Sequence, residues 1–546
     1  MTTDKQNIQA LAEVCRIRGI RHVVFAPGSR SAPLVLAFSK LKDVKCMVVP
    51  DERVAGFFAL GIAQQQRSPV AIVCTSGTAV LNFTPAICEA YYQQVPLLAL
   101  TADRPSDYIG IGENQAINQT DIYRNYIKAS YTLPETPAEA ATIAAKAITE
   151  TTRSGHGPVH INIPLREPLY GQSEKNLTVT APAPALPKLP VASVPITPRT
   201  LLICGMHEPD AALYEVIRKL SATTGLVIMT EPLANLHGLD TIANVDATLA
   251  MATESDMELL APDTVITIGR QVVSKRIRQF LRKVQPAHHY HLSDDKGEWN
   301  GLGAKEYHHI ICDTVATLSA SAPRSSDVAF RNSWMSLYRK AIANTERYGA
   351  ALPLSDWQVF QTLVRTYPKD AHIQYGNSSP IRYAGFFRHR ADTTVNANRG
   401  TSGIDGSMST AAGAALHYTG PTICVLGDVS FLYDSNALWN NYLTSQLRII
   451  VINNGGGNIF RLIDGPQRVE GFSDFFETKH QLGAEHLAQM YQIPYYFCDR
   501  ADDLEFVLGQ FYKPQKGRPA ILEIKTDGAV SEKVYKDYFR FLTENI

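Results

Sequence analysis

The chain has 546 residues, and 52 Lys and Arg residues balance 52 Asp and Glu residues, so the formal net charge is zero. This length exceeds what one hydrophobic core usually serves and predicts about three domains. The even charge balance argues against a protein that binds nucleic acids or membrane surfaces, because such proteins usually carry an excess of basic residues. A hydrophobic fraction of 45% indicates a folded chain.

The amino terminus, the apolar runs and the cysteines predict a cytoplasmic protein without membrane insertion. The first residues lack the basic start and apolar core of a secretory signal. No apolar run approaches the ~18 residues that a membrane helix needs. The eight cysteines are scattered without a Cys-x-x-Cys pair, which favours reduced, buried thiols.

Short apolar runs bounded by Gly and Pro recur along the whole chain, with helical patterns between them. This alternation predicts α/β units built on buried parallel strands. In the first unit the runs lie at 22–26, 45–50, 70–74, 96–101 and 159–163. Later runs lie at 201–204, 226–229 and 265–268, and then at 373–376, 423–426, 449–452 and 520–524.

Two segments divide the chain into three predicted units. Residues 181–198 contain six prolines in eighteen positions, which is typical of an extended linker. A second boundary is predicted at the Ser- and Ala-rich segment 319–327. The predicted domains are therefore residues 1–180, 199–325 and 326–546, with the linker between the first two.

The most specific pattern lies in the third unit. One apolar run ends in Gly427-Asp428 and another in Asn-Asn-Gly-Gly-Gly at 453–457, with 26 positions between Asp428 and Asn454. A carboxylate, an amide oxygen and a freed carbonyl can bind a hard cation that also holds phosphate oxygens. Both run ends are expected at the carboxyl edge of one parallel sheet, where such folds bind ligands. Either dipeptide alone fits an ordinary strand-to-loop turn equally well.

This pair of motifs resembles the diphosphate-and-magnesium signature of thiamine-diphosphate enzymes, although Val429 stands where that signature has its second glycine. Such enzymes also require a glutamate in a different domain. Glu52 is the candidate, because it follows an apolar run and precedes an apolar helical pattern. A first-turn glutamate favoured by the helix dipole is the alternative interpretation.

Further short motifs, in order along nearly the whole chain, resemble one family of these enzymes. That family is 2-succinyl-5-enolpyruvyl-6-hydroxy-3-cyclohexene-1-carboxylate synthase, of menaquinone biosynthesis. The motifs are Pro-Gly-Ser-Arg-Ser at 27–31, Thr-Ser-Gly-Thr-Ala at 75–79, Thr-Ala-Asp-Arg-Pro at 101–105, Asn-Gln-Ala-Ile at 114–117, Ser-Lys-Arg at 274–276, Gly-Asn-Ser at 376–378, Asn-Arg-Gly at 398–400, Ser-Gly-Ile-Asp-Gly at 402–406 and Asn-Ile-Phe at 458–460.

The resemblance implies a three-domain α/β fold with pyrimidine-binding, central and diphosphate-binding domains in that order. It implies thiamine diphosphate as cofactor, with Mg²⁺ or Mn²⁺, and a homodimer at least, with a homotetramer by resemblance. Glu52 would be the catalytic residue that hydrogen-bonds the cofactor's pyrimidine ring and promotes its tautomerisation. The implied cofactor-binding residues are Glu52, Ile404, Gly427, Asp428, Asn454, Gly456 and Ile459, and the implied metal ligands are Asp428, Asn454 and Gly456.

The implied reaction is the decarboxylation of 2-oxoglutarate and the conjugate addition of the succinyl semialdehyde unit to isochorismate. These substrates carry several carboxylates, so the pocket is expected to be rich in arginine. Ser378, Arg382 and Arg399 would face oxoglutarate, and Phe460 would line the pocket. The residues implied for isochorismate or its adduct are Ser29, Arg30, Arg104, Asn114, Gln115, Lys275 and Arg276.

Two alternatives to this function stay open. One is another thiamine-diphosphate decarboxylase or carboligase, such as an acetolactate-type enzyme. The other is a catalytically silent protein that senses the cofactor or a metabolite. The His-His-Tyr-His run at 288–291 is interpreted as having a structural or surface role, since strand alternation separates its members and a hard cation prefers oxygen. The glycines 400, 403 and 406 do not make a dinucleotide fingerprint.

Overall fold

The computed structural model describes residues 1–175, 177–181, 184, 188–223, 226–295, 302–321, 327–514 and 517–545. Three parallel sheets follow one another along the chain, each flanked by helices, as the alternating runs predict. A short antiparallel pair joins Thr2–Thr3 to Gln172–Ser173. Among the residues that the structure describes, no helix combines the length and the apolarity that crossing a membrane requires.

The first sheet has six parallel strands, and the apolar side chains of its four inner strands are buried on both faces. In spatial order they are Lys45–Val48, His22–Phe25, Val70–Cys74, Leu97–Asp103, Val159–Pro164 and Ala129–Thr132. Its helices are Gln6–Ile17, Ala32–Phe38, Glu52–Gln66, Thr78–Asn82, Thr84–Gln93 and Pro137–Thr152. Burial on both faces explains why the inner strands appear as continuous apolar runs in the sequence.

The second sheet has five parallel strands. In spatial order they are Val227–Thr230, Thr200–Cys204, Thr264–Ile268, His288–Ser293 and Glu306–Ile311. Its helices are Ala211–Thr223, Val245–Ala250, Met257–Leu260, Lys275–Val284 and Thr314–Ala320. The described residues of the predicted linker 181–198 belong to no helix or strand, and most of the second predicted boundary lies outside the described residues. The domain limits therefore stay predictions.

The third sheet has six parallel strands. In spatial order they are Thr394–Ala397, His372–Tyr375, Thr422–Gly427, Leu447–Asn453, Ala520–Lys525 and Tyr495–Cys498. Its helices are Val328–Tyr348, Asp356–Thr366, Ser379–Ala384, Ser407–Ala414, Asp428–Tyr433, Ile459–Leu462, Glu485–Met490, Leu504–Phe511 and Gly528–Glu544.

Close helix packing joins the first and third units within the chain. The helices Glu52–Gln66 and Ser407–Ala414 cross at two glycines. A Cβ atom on Gly61 would lie 2.0 Å from the Thr410 carbonyl oxygen, and one on Gly413 would lie 2.0 Å from that of Phe58. Only glycine permits this approach, so the contact fixes the start of the first helix relative to the third unit.

Candidate active site

The two motifs of the third unit meet at the carboxyl edge of its sheet. The strands Thr422–Gly427 and Leu447–Asn453 are parallel neighbours, and Gly427 lies opposite Ile452. Asp428 and Asn454 therefore leave the sheet side by side, although 26 positions separate them in the sequence. The structure thus brings together the carboxylate and the amide that the spacing predicts.

The Asp428 carboxylate organises the glycine loop. Its side chain is buried, and Oδ2 accepts the backbone N–H groups of Gly455 and Gly456 at 2.8 and 3.0 Å. Oδ1 accepts the N–H of Val429 at 2.7 Å. Burial raises the pKa of Asp428, and the backbone donors and nearby His480 oppose that rise. Because residue 429 contributes its backbone N–H, valine serves there as well as glycine.

The loop backbone requires glycine at the position of the predicted carbonyl ligand. Gly456 has φ +151°, and a Cβ atom there would lie 2.5 Å from the Glu477 carbonyl oxygen. Its neighbour Gly455 has φ +82°, in the left-handed region that side chains disfavour. The run of glycines thus allows a tight loop whose backbone a phosphate group can approach closely.

Asn454 offers a free oxygen to this loop. Its Nδ2 donates to Asp356 Oδ2 at 2.9 Å, whereas its Oδ1 is buried and has no hydrogen-bond partner. A buried amide oxygen without a donor is costly unless a ligand satisfies it. The Asp428 carboxylate, this oxygen and the Gly456 carbonyl form an oxygen donor set that fits a hard divalent cation.

Asp356 is a residue that the sequence did not single out. It is 1% exposed, and four side chains donate to its carboxylate. Thr526 Oγ1 and Ser531 Oγ lie 2.7 and 3.1 Å from Oδ1, and Asn458 Nδ2 lies 3.4 Å from Oδ2. Burial raises its pKa, and these donors oppose the rise. Because a carboxylate only accepts hydrogen bonds, it orients the Asn454 amide with the oxygen turned away.

Hydrophobic candidates surround the glycine loop. The Ile404 carbonyl accepts the Ser430 hydroxyl at 2.7 Å, which ties Ile404 to the helix that Asp428 begins. Ile459 and Phe460 open the short helix that directly follows the loop, and both are half-buried. These three predicted residues are therefore placed around the Asp428 motif.

Glu52 begins the helix Glu52–Gln66 and so lies at a strand-to-helix junction, as the sequence predicts. The Asp51 side chain caps this helix by accepting the N–H of Val54 at 3.1 Å. Glu52 itself is half-buried, and Asn82 Nδ2 lies 3.4 Å from its Oε2. Among the described residues, no hydrogen bond joins Glu52 to the glycine loop of its own chain. The carboxylate stands at the carboxyl edge of the first sheet rather than at that of the third.

Arg382 and Arg399 lie together, and the nearest carboxylates, those of Glu231 and Glu89, act on Arg399 without direct contact. Neither forms an ion pair with a carboxylate of the described residues, and Arg399 Nε is buried without a hydrogen-bond partner. Arg399 Nη1 donates to Asn377 Oδ1 at 3.3 Å, and Arg382 donates to the Ser378 carbonyl. Burial and the neighbouring Arg382 lower the pKa of Arg399 to about 10. Two neighbouring, half-buried guanidinium groups form a site for an anion.

Two buried glutamates hold the segments around these arginines. Neither was predicted from the sequence. Glu89, from the first unit, accepts the N–H groups of Gly400 and Thr401, each at 2.7 Å. Glu231 accepts those of Val273 and Ser274 at 2.5 and 2.6 Å, and burial raises its pKa to about 7.

The segment that Glu231 anchors carries the predicted Lys275 and Arg276. Ser274 caps the helix Lys275–Val284 by accepting the N–H of Ile277 at 3.1 Å. Lys275 is exposed, and the Arg276 guanidinium lies 4.4 Å from the ring centroid of Phe539 in the third unit. Arg276 therefore bridges two units, and its role toward a substrate stays a prediction.

The predicted substrate residues of the first unit divide into anchored and exposed groups. Arg30 is buried and donates to the Leu165 carbonyl at 2.7 Å and to Glu167 at 2.9 Å. Arg104 donates to the Asn114 carbonyl at 2.8 Å, so it supports the loop that carries the exposed Asn114 and Gln115. Ser29 is exposed as well.

Two family models match parts of this chain. A family model described as "Thiamine pyrophosphate enzyme, N-terminal TPP binding domain" matches residues 7–122. A second, described as "Middle domain of thiamine pyrophosphate", matches residues 197–373.

Curated relatives match over nearly the full length and share the name 2-succinyl-5-enolpyruvyl-6-hydroxy-3-cyclohexene-1-carboxylate synthase. The protein from Flavobacterium johnsoniae is 37% identical, and that from Flavobacterium psychrophilum is 38% identical, each over 98% of both chains. The protein from Desulfotalea psychrophila is 37% identical over 96% of this chain and 98% of its own. The chain therefore belongs to the 2-succinyl-5-enolpyruvyl-6-hydroxy-3-cyclohexene-1-carboxylate synthase family of thiamine pyrophosphate enzymes.

Proposed function

We propose that this chain decarboxylates 2-oxoglutarate and adds the remaining four-carbon unit to isochorismate. The products are carbon dioxide and 2-succinyl-5-enolpyruvyl-6-hydroxy-3-cyclohexene-1-carboxylate. The observation that carries the substrate assignment is the pair Arg382 and Arg399, because two half-buried cations without an ion-pair partner among the described residues suit a doubly acidic donor. The name that the curated relatives share supports the same reaction.

The proposed cation is Mg²⁺ or Mn²⁺, held by Asp428, the Asn454 amide oxygen and the Gly456 carbonyl. Its charge would neutralise the diphosphate of the cofactor in a loop that offers close backbone approach. Thiamine diphosphate, when bound, supplies the electron sink that the decarboxylation of a 2-oxo acid requires. Gly427, Ile404 and Ile459 would contact the cofactor around this loop.

Glu52 is proposed as the catalytic acid–base group, which holds a proton on its carboxyl group beside the cofactor's pyrimidine ring. Its carboxylate hydrogen-bonds only Asn82 among the described residues. We propose that Glu52 of one subunit completes the site that Asp428 and Asn454 form in another. The active enzyme is then a homodimer at least.

The substrates are proposed to bind between the units. Arg382, Arg399 and Ser378 would hold the distal carboxylate of 2-oxoglutarate, with Phe460 lining the pocket. Arginine suits this task because its planar fork binds both oxygens of a carboxylate. Isochorismate, or its adduct, would be held by Ser29, Arg30, Arg104, Asn114, Gln115, Lys275 and Arg276.

The consumption of isochorismate tests this function. We expect it to require enzyme, 2-oxoglutarate, thiamine diphosphate and a divalent cation together, with loss of activity when any one is omitted. Consumption that proceeds without 2-oxoglutarate would exclude the proposed reaction.

Replacing Asp428 by alanine is expected to abolish cation-dependent cofactor binding while the fold is retained. A buried diphosphate needs the charge of the cation, and Asp428 is the ionic ligand of the proposed set. Calorimetric titration with thiamine diphosphate and Mg²⁺ measures the effect, with the exposed Asp464→Ala as control. Near-normal affinity in Asp428→Ala would mean that other residues hold the cation.

Replacing Asp356 by asparagine is expected to weaken Mg²⁺ binding about 10- to 100-fold, the usual effect of losing a group that orients a metal ligand. An amide at position 356 both donates and accepts, so it no longer fixes which end of the Asn454 amide faces the cation.

Electron paramagnetic resonance of Mn²⁺ measures this affinity without relying on turnover. Asp356→Glu keeps the acceptor and is expected to recover part of the affinity. Asp370→Asn, at a side chain that is 66% exposed, is the charge-matched control. Unchanged Mn²⁺ affinity in a folded Asp356→Asn protein would show that the carboxylate does not position Asn454.

A further inference from the structure

Two neighbouring strands of the second sheet are rich in histidine. His288–Ser293 and Glu306–Ile311 run parallel, with His288 opposite Glu306 and Tyr290 opposite His308. Successive side chains of a strand point to opposite faces of the sheet. The register therefore sorts the histidines into two groups, one on each face.

The histidines of the first group are held by hydroxyl groups. Thr267 Oγ1 lies 2.8 Å from His289 Nε2 and 2.9 Å from His291 Nδ1. The Oγ of Ser293 lies 2.6 Å from Nε2 of His309, which belongs to the edge strand. Burial lowers the pKa of His289 to about 4, so this ring is neutral at physiological pH. These hydrogen bonds account for the first group as part of the sheet's structure.

The second group consists of His288, Glu306 and His308, and it has a different chemistry. His288 Nδ1 lies 3.0 Å from Glu306 Oε2, and His308 Nε2 lies 3.6 Å from the same oxygen. One ligand atom from each residue lies within 4.8 Å of the others. His288 Nδ1 is shielded from solvent, yet it forms no well-directed hydrogen bond. Two imidazole nitrogens thus lie close to one carboxylate oxygen at a partly exposed position of the sheet.

Stacking and strand pairing hold this arrangement in place. The Tyr290 ring stacks on His308, with centroids 4.9 Å apart and planes 15° from parallel. The strand register fixes His288 directly opposite Glu306. The imidazole of His308 is therefore oriented before any ligand arrives, which lowers the entropic cost of binding.

We propose that His288, Glu306 and His308 form a metal-binding site. The cation that it binds is Zn²⁺. Neutral imidazole and carboxylate are ordinary zinc ligands, and three protein ligands leave the fourth position to water. With bonds of about 2.0–2.1 Å, tetrahedral geometry places ligand atoms about 3.3 Å apart. The separations of the two histidine nitrogens from Glu306 Oε2, 3.0 and 3.6 Å, lie on either side of that value, and all three ligand atoms lie within 4.8 Å of one another.

This site differs in chemistry and in place from the oxygen-donor site at Asp428. Glu306–Ile311 is the edge strand of its sheet, so a bound cation would link the edge strand to its neighbour. A ligand that binds the folded state alone stabilises it by mass action. The proposed consequence is a zinc-dependent increase in the stability of the second unit, without a role in turnover.

The test uses the full chain with saturating Mg²⁺ and thiamine diphosphate, and Zn²⁺ alone as the titrant in calorimetry. We expect one Zn²⁺ site per chain, with affinity lowered at least tenfold in His308→Ala and in His288→Ala. His309→Gln is the matched control, since it changes the adjacent histidine on the opposite face. Co²⁺ should give a visible absorption spectrum in the wild type that both alanine variants lose.

Carboligation measured with Mg²⁺ should be the same in wild type and His308→Ala, which separates this site from the proposed active site. Equal Zn²⁺ affinity in wild type and His308→Ala would overturn the proposal. A loss of Zn²⁺ affinity in His309→Gln as large as that in His308→Ala would also overturn it. The cation would then not be bound by the side chains of one face of the sheet.

Discussion

Replacing Glu52 by glutamine is expected to lower the rate of carboligation about 10²- to 10⁴-fold, the usual contribution of a general acid–base group. Glutamine has nearly the same shape and can still hydrogen-bond a ring nitrogen, so cofactor binding should persist. It cannot exchange a proton as a carboxyl group does. The loss should therefore appear in kcat rather than in the affinity for thiamine diphosphate.

The direct measurement is deuterium exchange at C2 of the bound cofactor's thiazolium ring, followed by NMR. Glu52→Gln should slow this exchange strongly relative to wild type. Asp51→Asn is a matched control, because it makes the same charge change one residue away and asparagine also caps helices well. An unchanged exchange rate in Glu52→Gln would remove Glu52 from the proposed role.

Replacing Arg399 by alanine is expected to lower kcat/KM for 2-oxoglutarate by tens- to thousands-fold. This range corresponds to about 2–5 kcal/mol for removing one partner of a buried charge pair. Pyruvate lacks the distal carboxylate, so its slow decarboxylation should barely change. Lysine at position 399 should restore activity only in part, since it cannot form a planar fork.

Steady-state decarboxylation with each donor measures this discrimination for wild type, Arg382→Ala and Arg399→Ala. The exposed Arg365, which pairs with Glu505, gives a control variant, Arg365→Ala, without an expected effect. Equal losses on both donors would show that the arginines support the fold or the cofactor site. A wild-type preference for pyruvate would contradict the proposed donor while leaving the cofactor assignment intact.

The sequence predicts the parts of the fold and site that depend on local patterns. Continuous apolar runs such as Val70–Cys74 predict buried parallel strands, and the structure has a strand with those limits. Asp428 and Asn454 could be paired from their positions after two such runs, because neighbouring parallel strands end at one edge. The strand-to-helix junction at Glu52 likewise follows from the residues around it.

The supporting residues could not be predicted, because their partners are distant in the sequence. Asp356 precedes its partner Asn454 by 98 positions. It lies at the start of a helix, where an acidic residue is expected simply because the helix dipole stabilises negative charge. Glu89 accepts a hydrogen bond from Gly400, which lies 311 positions further along the chain. In the sequence alone it is indistinguishable from an ordinary glutamate of a helix.

The histidine run at 288–291 shows the same limit. Alternation correctly separates His288 from His289, and the structure confirms that the two lie on opposite faces. The interpretation of the run as structural or surface-exposed considers only the strand that carries it. Glu306 and His308 join His288 only through strand pairing, which the run itself does not encode.

The reaction of [1-¹³C]2-oxoglutarate with isochorismate tests the central claim most directly. Wild-type enzyme with thiamine diphosphate and Mg²⁺ should release ¹³CO₂ in a one-to-one ratio with a new product. Mass spectrometry should give that product the mass of isochorismate plus the four-carbon unit, without the label. Release of ¹³CO₂ with free succinic semialdehyde as the only other product, and isochorismate unchanged, would contradict the proposed carboligation.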